Sequence, residues 1–331
     1  MSAEFRLHII ELPAAAAGQR LDQALAAALP QYSRARLQRW IRDGAVRLAG
    51  SAGLAQRRDG VRSGDRVRGG ERLEVQAEFP ASDAVEAEAL PLTIVYQDEA
   101  LLVLDKPAGL VVHPGAGNRQ HTLQNALLGY DARLARVPRA GLVHRLDKDT
   151  TGLLLVARTP EAHTRLVAAL AARRIKREYL ALVWGRPLAG GRIEQPIGRH
   201  PAARTRMAVS RAGREALTHY RIEERFAAQT LLRVTLATGR THQIRVHLAH
   251  IGLPVVGDPV YGGRRRRLAG GPVNEALQAF SRQALHAVHL SLQHPLSDRP
   301  LEFEAPLPMD LSALLAVLRA SPPPPRTRRA S

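Results

Sequence analysis

Three observations predict an α+β protein, with a mixed or antiparallel sheet following a small basic helical module. From about residue 90 to 318, strand-like runs outnumber helical ones, the pattern of a sheet carrying a few helices. Ahead of it, residues 33–72 hold 11 Arg against four Asp or Glu. Between the two, EFPASDAVEAEALPLTIVYQDE (78–99) carries six acids and no Lys or Arg. It reads as a linker entering a first strand at 92–96. The expected divisions are a basic module over 1–80, a linker over 81–90, a main domain over 91–318 and a disordered basic tail over 319–331.

The bulk numbers narrow the function classes. A chain of 331 residues has room for two or three domains. The absence of cysteine excludes disulfides, zinc-thiolate sites and thiol nucleophiles. The amino-terminal MSAEFRLHIIEL lacks the apolar core of a signal peptide, and no run approaches the roughly 18 apolar residues that span a bilayer. The expectation is a cytoplasmic protein without a membrane partner, by default a monomer. A net charge of +18 favours a polyanion, and RNA or DNA leads because no amphipathic surface helix stands out. Only three of the 48 basic residues are lysine: Lys106, Lys148 and Lys176.

Residues 4–11 alternate as a strand does. Leu21, Ala24, Leu25 and Ala28 have helical spacing. Ser33 as N-cap and Gly44 as the stop frame a second short helix, which carries Arg34, Arg36, Arg39 and Arg42. A hairpin-like stretch ends in GGERLEV. Further on, LLVLDKP, GLLLVAR, REYLALVWG, EALTHYRIEE, TLLRVTLA, HAVHLSL and PLEFEAP read as strands. TPEAHTRLVAALAARR has Thr159 as N-cap and Pro160 at the first helical position. THQIRVHLAHIG reads as a helix from Thr241 to Gly252. On it Ile244, Leu248 and Ile251 form the apolar stripe, and Arg245 is free to face a site.

GLVHRLDKDTTGLLLVAR (141–158) sets His144, Arg145, Asp147, Lys148 and Asp149 against an apolar strand. There is no nucleophile elbow, Walker loop, HExxH or dinucleotide fingerprint in the chain. His242 and His247 point apart on a helix, and Arg145 and Lys148 weigh against a metal between Asp147 and Asp149. A carboxylate beside an arginine stays ionised, and an ionised carboxylate can attack an anomeric carbon such as C1′ of a ribose. The plainer reading is that Asp147 only ion-pairs and Asp149 caps the turn at Thr151. The residues alone leave both open.

The stretches RLDQALAAALPQYSRARLQRWIRDGAVRL and GGERLEV resemble the S4 RNA-binding domain, with an apparent insertion, SAGLAQRRDGVRSGD, after Leu48-Ala49-Gly50. HRLDKDTTGLLLVAR, IKREYLALVWG and TGRTHQIRVHLAHIGLPVVGDPVYG, in that order and preceded by LDKPAGLVVHPG, resemble the RluA-type pseudouridine synthases over about residues 90–310. The resemblance implies a pseudouridine synthase catalytic domain behind an S4-like RNA-binding domain, needing no cofactor and no metal. It implies that Asp147 is the catalytic aspartate, acting either on C1′ or on a C2′ proton. Arg145 would enter the RNA stack, Tyr179 pack on the target base, Arg245 pair with Asp147, and Ile244 wall the pocket.

The loop PIGRHPAARTRMAVSRAGREALTHYRI (196–222) offers Arg199, His200, Arg204 and Arg206 as phosphate contacts. YGGRRRR (261–267) is either a further electrostatic contact or a solvated loop. Within the family, the R-H-P-x-x-R-x-x-M-A-V pattern with RQALHAVHLSLQHPL looks most like the enzymes of a large-subunit (23S) rRNA stem-loop at the subunit interface. Pre-ribosomal particles are then the expected partner. Other uridines of the same rRNA are the second reading, and a catalytically silent RNA-binding or ribosome-assembly protein the third.

Overall fold

The computed structural model describes residues 4–32, 34–48, 61–79, 85–115, 117–203, 205–263 and 270–321. Ser33, Arg204, most of the insertion after Leu48, the arginine run after Gly263 and the tail from 322 lie outside the described residues. The chain divides into two compact units, 1–86 and 87–331.

In the first unit, strand β1 (Glu4–Glu11) is followed by helices α1 (Leu21–Ala28) and α2 (Arg34–Arg42), then strands β2 (Val46–Leu48) and β3 (Arg72–Phe79). The three strands form an antiparallel sheet in the order β1-β3-β2. The apolar spacing of the sequence becomes the core: Leu21 and Leu25 of α1 and Leu37, Trp40 and Ile41 of α2 are buried with Val46, Leu73 and Val75. Gly44, with φ near +74°, ends α2 in the left-handed conformation that favours glycine.

The second unit is a nine-stranded sheet with helices packed on it. Its strands are β4 (Ile94–Gln97), β5 (Leu101–Lys106), β6 (Thr151–Ala157), β7 (Lys176–Trp184), β8 (Gly191–Glu194), β11 (Leu217–Arg225), β12 (Gln229–Leu236), β13 (Leu285–Gln293) and β14 (Pro300–Glu304). The order is β4-β5-β6-β13-β7-β12-β11-β8, with β14 on β13. Only β6 and β13 run parallel, so the sheet is mixed. A separate ribbon pairs β9 (Ile197–Arg199) with β10 (Met207–Val209). The helices are α3 (Leu123–Tyr130), α4 (Pro160–Ala171), α5 (Gln243–His250), α6 (Pro272–Ala279) and α7 (Met309–Ala320).

The central strands are apolar on both faces: every residue of β6 is buried, and all of β7 except Lys176. The parallel joint needs a glycine. Gly152 sits at φ +105°, and a Cβ there would lie 2.2 Å from the carbonyl oxygen of Ala287. Thr159 caps α4 as expected, its side chain accepting the Ala162 N–H.

Three sequence readings are corrected. Helix α5 starts at Gln243, not Thr241, because His242 is left-handed with φ +56°. Ile251 is half-exposed at its C-cap instead of completing a buried stripe. Arg319 and Ala320, expected in the tail, close α7, and Arg319 pairs with Glu224 at 2.8 Å.

Candidate active site

Asp147 lies on the loop between a 3-10 turn (Pro138–Gly141) and β6. Its neighbours are held from several directions. The buried Lys106 of β5 donates to the carbonyls of Pro107 (2.6 Å), Leu110 (3.0 Å) and Lys148 (2.9 Å). An ammonium has three donors at one point, and here all three are used. Burial lowers the Lys106 pKa to about 8, with nearby Asp149 and Asp147 opposing the shift. Arg282 donates to the Asp149 carbonyl at 3.2 Å, and Gln283 Nε2 to Thr150 Oγ1 at 3.1 Å. Upstream, His144 Nε2 accepts the Leu155 N–H at 3.1 Å. Burial holds this imidazole neutral, its pKa lowered to about 3. The turn itself closes with the Thr150 N–H on the Asp147 carbonyl. Thr151 is not capped by Asp149; its hydroxyl meets His286 Nδ1 at 2.9 Å.

Arg245 divides its guanidinium between two carboxylates. Nη1 donates to Asp147 Oδ2 at 2.9 Å. Nε and Nη2 form a fork on Asp258 at 2.7 and 2.8 Å. Asp258 is fully enclosed, with its side chain at 0% exposure, while Asp147 keeps 15%, so Asp147 is the carboxylate a substrate can reach. Burial would raise the Asp258 pKa, but Arg245 and the N–H groups of Tyr261 and Val260 overcome it and hold the carboxyl below its usual range. Burial likewise opposes the charge on Arg245, and the two carboxylates outweigh it, raising its pKa. A planar fork with several fixed donors suits this two-carboxylate duty, and a lysine does not.

The second oxygen, Asp147 Oδ1, has no hydrogen bond among the described residues. Asp147 lines an open cleft with Arg145, Tyr179, Arg240, His242, Ile244 and Leu285, among others. Tyr179 is 4% exposed and held in β7 between Val234 and Ala287. Burial, joined by the Asp147 charge, raises its pKa and keeps the phenol neutral. Ile244 is buried at the wall, and Arg145 is exposed at the rim. The cleft thus brings together an almost enclosed aromatic side chain, a reachable carboxylate and an exposed guanidinium, groups suited to contact with a planar base and a sugar.

The five site residues expected from sequence, Arg145, Asp147, Tyr179, Ile244 and Arg245, all line this cleft. The expected RNA contacts are more scattered. Arg34 is tied to the buried Asp22 by Nε at 3.0 Å and Nη2 at 2.8 Å, so much of its donor capacity supports the first unit. Burial opposes the Asp22 charge, yet Arg20, Gln38 and Arg34 lower its pKa to about 2. Arg36 is half-buried, while Arg39 and Arg42 are exposed on α2. In the second unit Arg199 is exposed. His200 Nδ1 faces the Ala202 and Ala203 N–H groups, so this imidazole shapes its turn. Arg206 donates to the Val260 carbonyl and stands 5.5 Å from the Tyr261 ring.

Several site residues had no role assigned from sequence: Lys106, Asp258, Tyr261, His242, Arg282 and Gln283. Asp258 and Tyr261 lie in GDPVYG, whose acid offered no partner until the fold brought Arg245 to it. Lys106 carried a signal, being one of three lysines in a chain with 48 basic residues. Among the described residues no group of three or more His, Cys, Asp or Glu is arranged to hold a metal, and His247 is a buried residue bonded to Thr218 and the Gln195 carbonyl.

Comparison with known proteins follows the same division. A family model described as RNA pseudouridylate synthase matches residues 100–250, and one described as S4 domain matches residues 19–51. The chain is 52% identical over 307 residues to ribosomal large subunit pseudouridine synthase D of Escherichia coli (strain K12), covering 92% of this chain and 91% of that protein. The protein of the same description from Pseudomonas aeruginosa is 52% identical over 311 residues, covering 93% and 95%. Among solved structures, human RNA pseudouridylate synthase domain containing 4 aligns with a TM-score of 0.55 at 27% identity, covering 69% of this chain and 93% of that one.

Proposed function

The chain belongs to the RluA-type RNA pseudouridylate synthase family, and from that premise we propose that it converts specific uridines of large-subunit ribosomal RNA to pseudouridine. The observation that carries the reading is the division of Arg245: Asp258 and one oxygen of Asp147 take its donors, the other Asp147 oxygen has no hydrogen bond among the described residues, and Asp147 lines the cleft together with Tyr179.

The target nucleotide leaves its stack at a cost of a few kcal/mol. Stacking of the base on Tyr179 returns about 1–3 kcal/mol. Arg145, exposed at the rim, takes the vacated space in the RNA. Asp147 Oδ1 acts at the ribose, on C1′ or on the C2′ proton. The N1–C1′ bond breaks, the uracil turns on the aromatic surface and C5 bonds to C1′, releasing any bond from Asp147 to C1′; the C5 proton passes to solvent and N1 takes one up. Atoms and electrons balance within the nucleotide, so this isomerisation calls for no electron carrier and no group donor. Arg245 keeps one carboxylate oxygen fixed throughout, and Lys106, Arg282 and Gln283 keep the loop backbone still while the base moves.

The relatives named for the large ribosomal subunit favour its rRNA as substrate; that the enzyme works as a cytoplasmic monomer on pre-ribosomal particles is part of the same proposal. Asp147→Asn should abolish tritium release from large-subunit rRNA carrying 5-tritiated uridine while RNA binding persists. Full release by that variant removes Asp147 from the mechanism. Mapping pseudouridines in rRNA from cells with and without the gene identifies the positions, and an unchanged map rejects the substrate.

A further inference from the structure

His242 stands at a position the sequence gives no reason for. It is the residue before α5, with φ +56° and no side-chain cap. A side chain in the left-handed region costs free energy that glycine would not, and here the ring is aimed at the catalytic carboxylate. His242 Nε2 lies 3.8 Å from Asp147 Oδ1, the oxygen that Arg245 does not hold. The ring is one wall of the cleft.

The other nitrogen fixes the tautomer. His242 Nδ1 is 2.8 Å from the Tyr261 hydroxyl, and that oxygen already accepts the Met207 N–H at 2.8 Å. With that acceptor position taken, we assign the Tyr261 proton to Nδ1, which leaves the ring hydrogen on Nε2. The opposite tautomer would set the Nε2 lone pair against a carboxylate oxygen. Burial keeps the imidazole neutral, although Asp147 opposes that shift. Tyr261 is itself held from three sides: its ring is edge-on to His242, 5.0 Å from the Arg245 guanidinium and 5.5 Å from that of Arg206. Met207 opens β10, the second strand of the basic ribbon, and Arg206 precedes it. The chain of contacts therefore runs from the basic loop through Tyr261 and His242 to Asp147.

We propose that His242 is a positioning residue: set by Tyr261, its Nε2–H orients the free oxygen of Asp147 as Arg245 orients the other. The distance of 3.8 Å is longer than a hydrogen bond, as catalytic contacts often are before substrate seats. Two donors on two oxygens leave the carboxylate one orientation, so the attacking lone pair points the same way at every turnover. The inference rests on the proposed reaction and adds a residue to it.

The test is single-turnover tritium release from large-subunit rRNA carrying 5-tritiated uridine, with RNA affinity measured alongside. His242→Gly keeps the left-handed backbone without strain, so the thermal midpoint should hold or rise. Its rate should fall on the order of tenfold to a hundredfold, the value of a hydrogen bond to a charged group, with RNA affinity within about twofold of wild type. His242→Gln, whose amide reaches the Nε2 position, should recover most of the rate. Tyr261→Phe keeps the ring and loses the hydroxyl. It should slow the reaction by a smaller factor, and the double variant should be no slower than His242→Gly alone. An active wild type with an equally fast His242→Gly overturns this inference alone. So does a loss that follows RNA affinity, or multiplicative losses in the double variant. A wild type that releases no tritium from this RNA overturns the proposed function and the inference with it.

Discussion

Arg245 is worth more to this site than its ion pair with Asp147, because the guanidinium is built into the wall by Asp258 before any RNA arrives. Asp258→Asn keeps the shape and removes the charge. A single buried cation then serves Asp147 alone, with one fewer strong acceptor. Breaking one partner of a buried pair costs about 3–5 kcal/mol, so stability should drop by that order in denaturant unfolding and the tritium-release rate should fall with it. A variant as stable and as fast as wild type would show that the second carboxylate is idle. Lys106 makes a different prediction. Its folded pKa of about 8 lies below the ordinary value of 10.5, so between these values the unfolded chain binds the extra proton. Stability attributable to Lys106 therefore rises with pH through that window. Relative to Lys106→Met, the wild type should gain unfolding free energy between about pH 8 and 10.5, by up to roughly 3 kcal/mol. A difference that stays flat across that range rejects the shift. At this scale the polar cluster around Asp147 is readable as a candidate site, but the residues alone leave a reactive Asp147 and a plain ion pair both open, and the family resemblance chooses between them. The sequence is silent for Asp258, because an acid 13 residues from its arginine is indistinguishable from a solvated one until α5 and the following loop are folded against each other.

Elements were easier to read than contacts. Period-two and continuous apolar runs marked β5, β6, β7, β12 and β13, since these strands are buried on both faces. Helix α4 was framed at its start by Thr159 and Pro160, both local signals. Helix α5 begins later than Thr241 suggests, because His242 takes the left-handed conformation, with its ring hydrogen-bonded to Tyr261, 19 residues away. Strand pairing was not readable at all: β6 lies between β5 and β13, and the single parallel joint depends on residues more than a hundred positions apart. That joint has a sharp test. Gly152→Ala places a methyl 2.2 Å from the Ala287 carbonyl oxygen at a φ of +105°. It should cost roughly 3 kcal/mol or more, seen as a large fall in thermal midpoint. A midpoint within a degree or two of wild type would mean the β6–β13 joint yields easily.

At the scale of the whole molecule, charge and fold divide the work. The first unit has its own core and an S4 match, and the second holds every cleft residue. Removing residues 1–86 should leave the second unit folded and weaken rRNA binding. It should also flatten the dependence of log affinity on log salt, since each lost phosphate contact reduces that slope by about one. Equal slopes for the full and shortened proteins would leave the first unit without a part in binding. A net charge of +18 pointed to the polyanion, but not to the places where it is met: Arg34, one of the expected contacts, is largely engaged with Asp22.

The clamp around Asp147 also sets an order in time. Lys106, which holds the Lys148 carbonyl, lies upstream of the aspartate, but Arg245, Asp258, Arg282 and Gln283 all lie downstream, and Arg282 is in turn fixed by Asp310 at 2.6 and 2.8 Å. A nascent chain that has emerged only as far as β7 carries Asp147, Tyr179 and Lys106, and lacks the rest of the clamp. The clamp is complete only once α7, which carries Asp310, has been made.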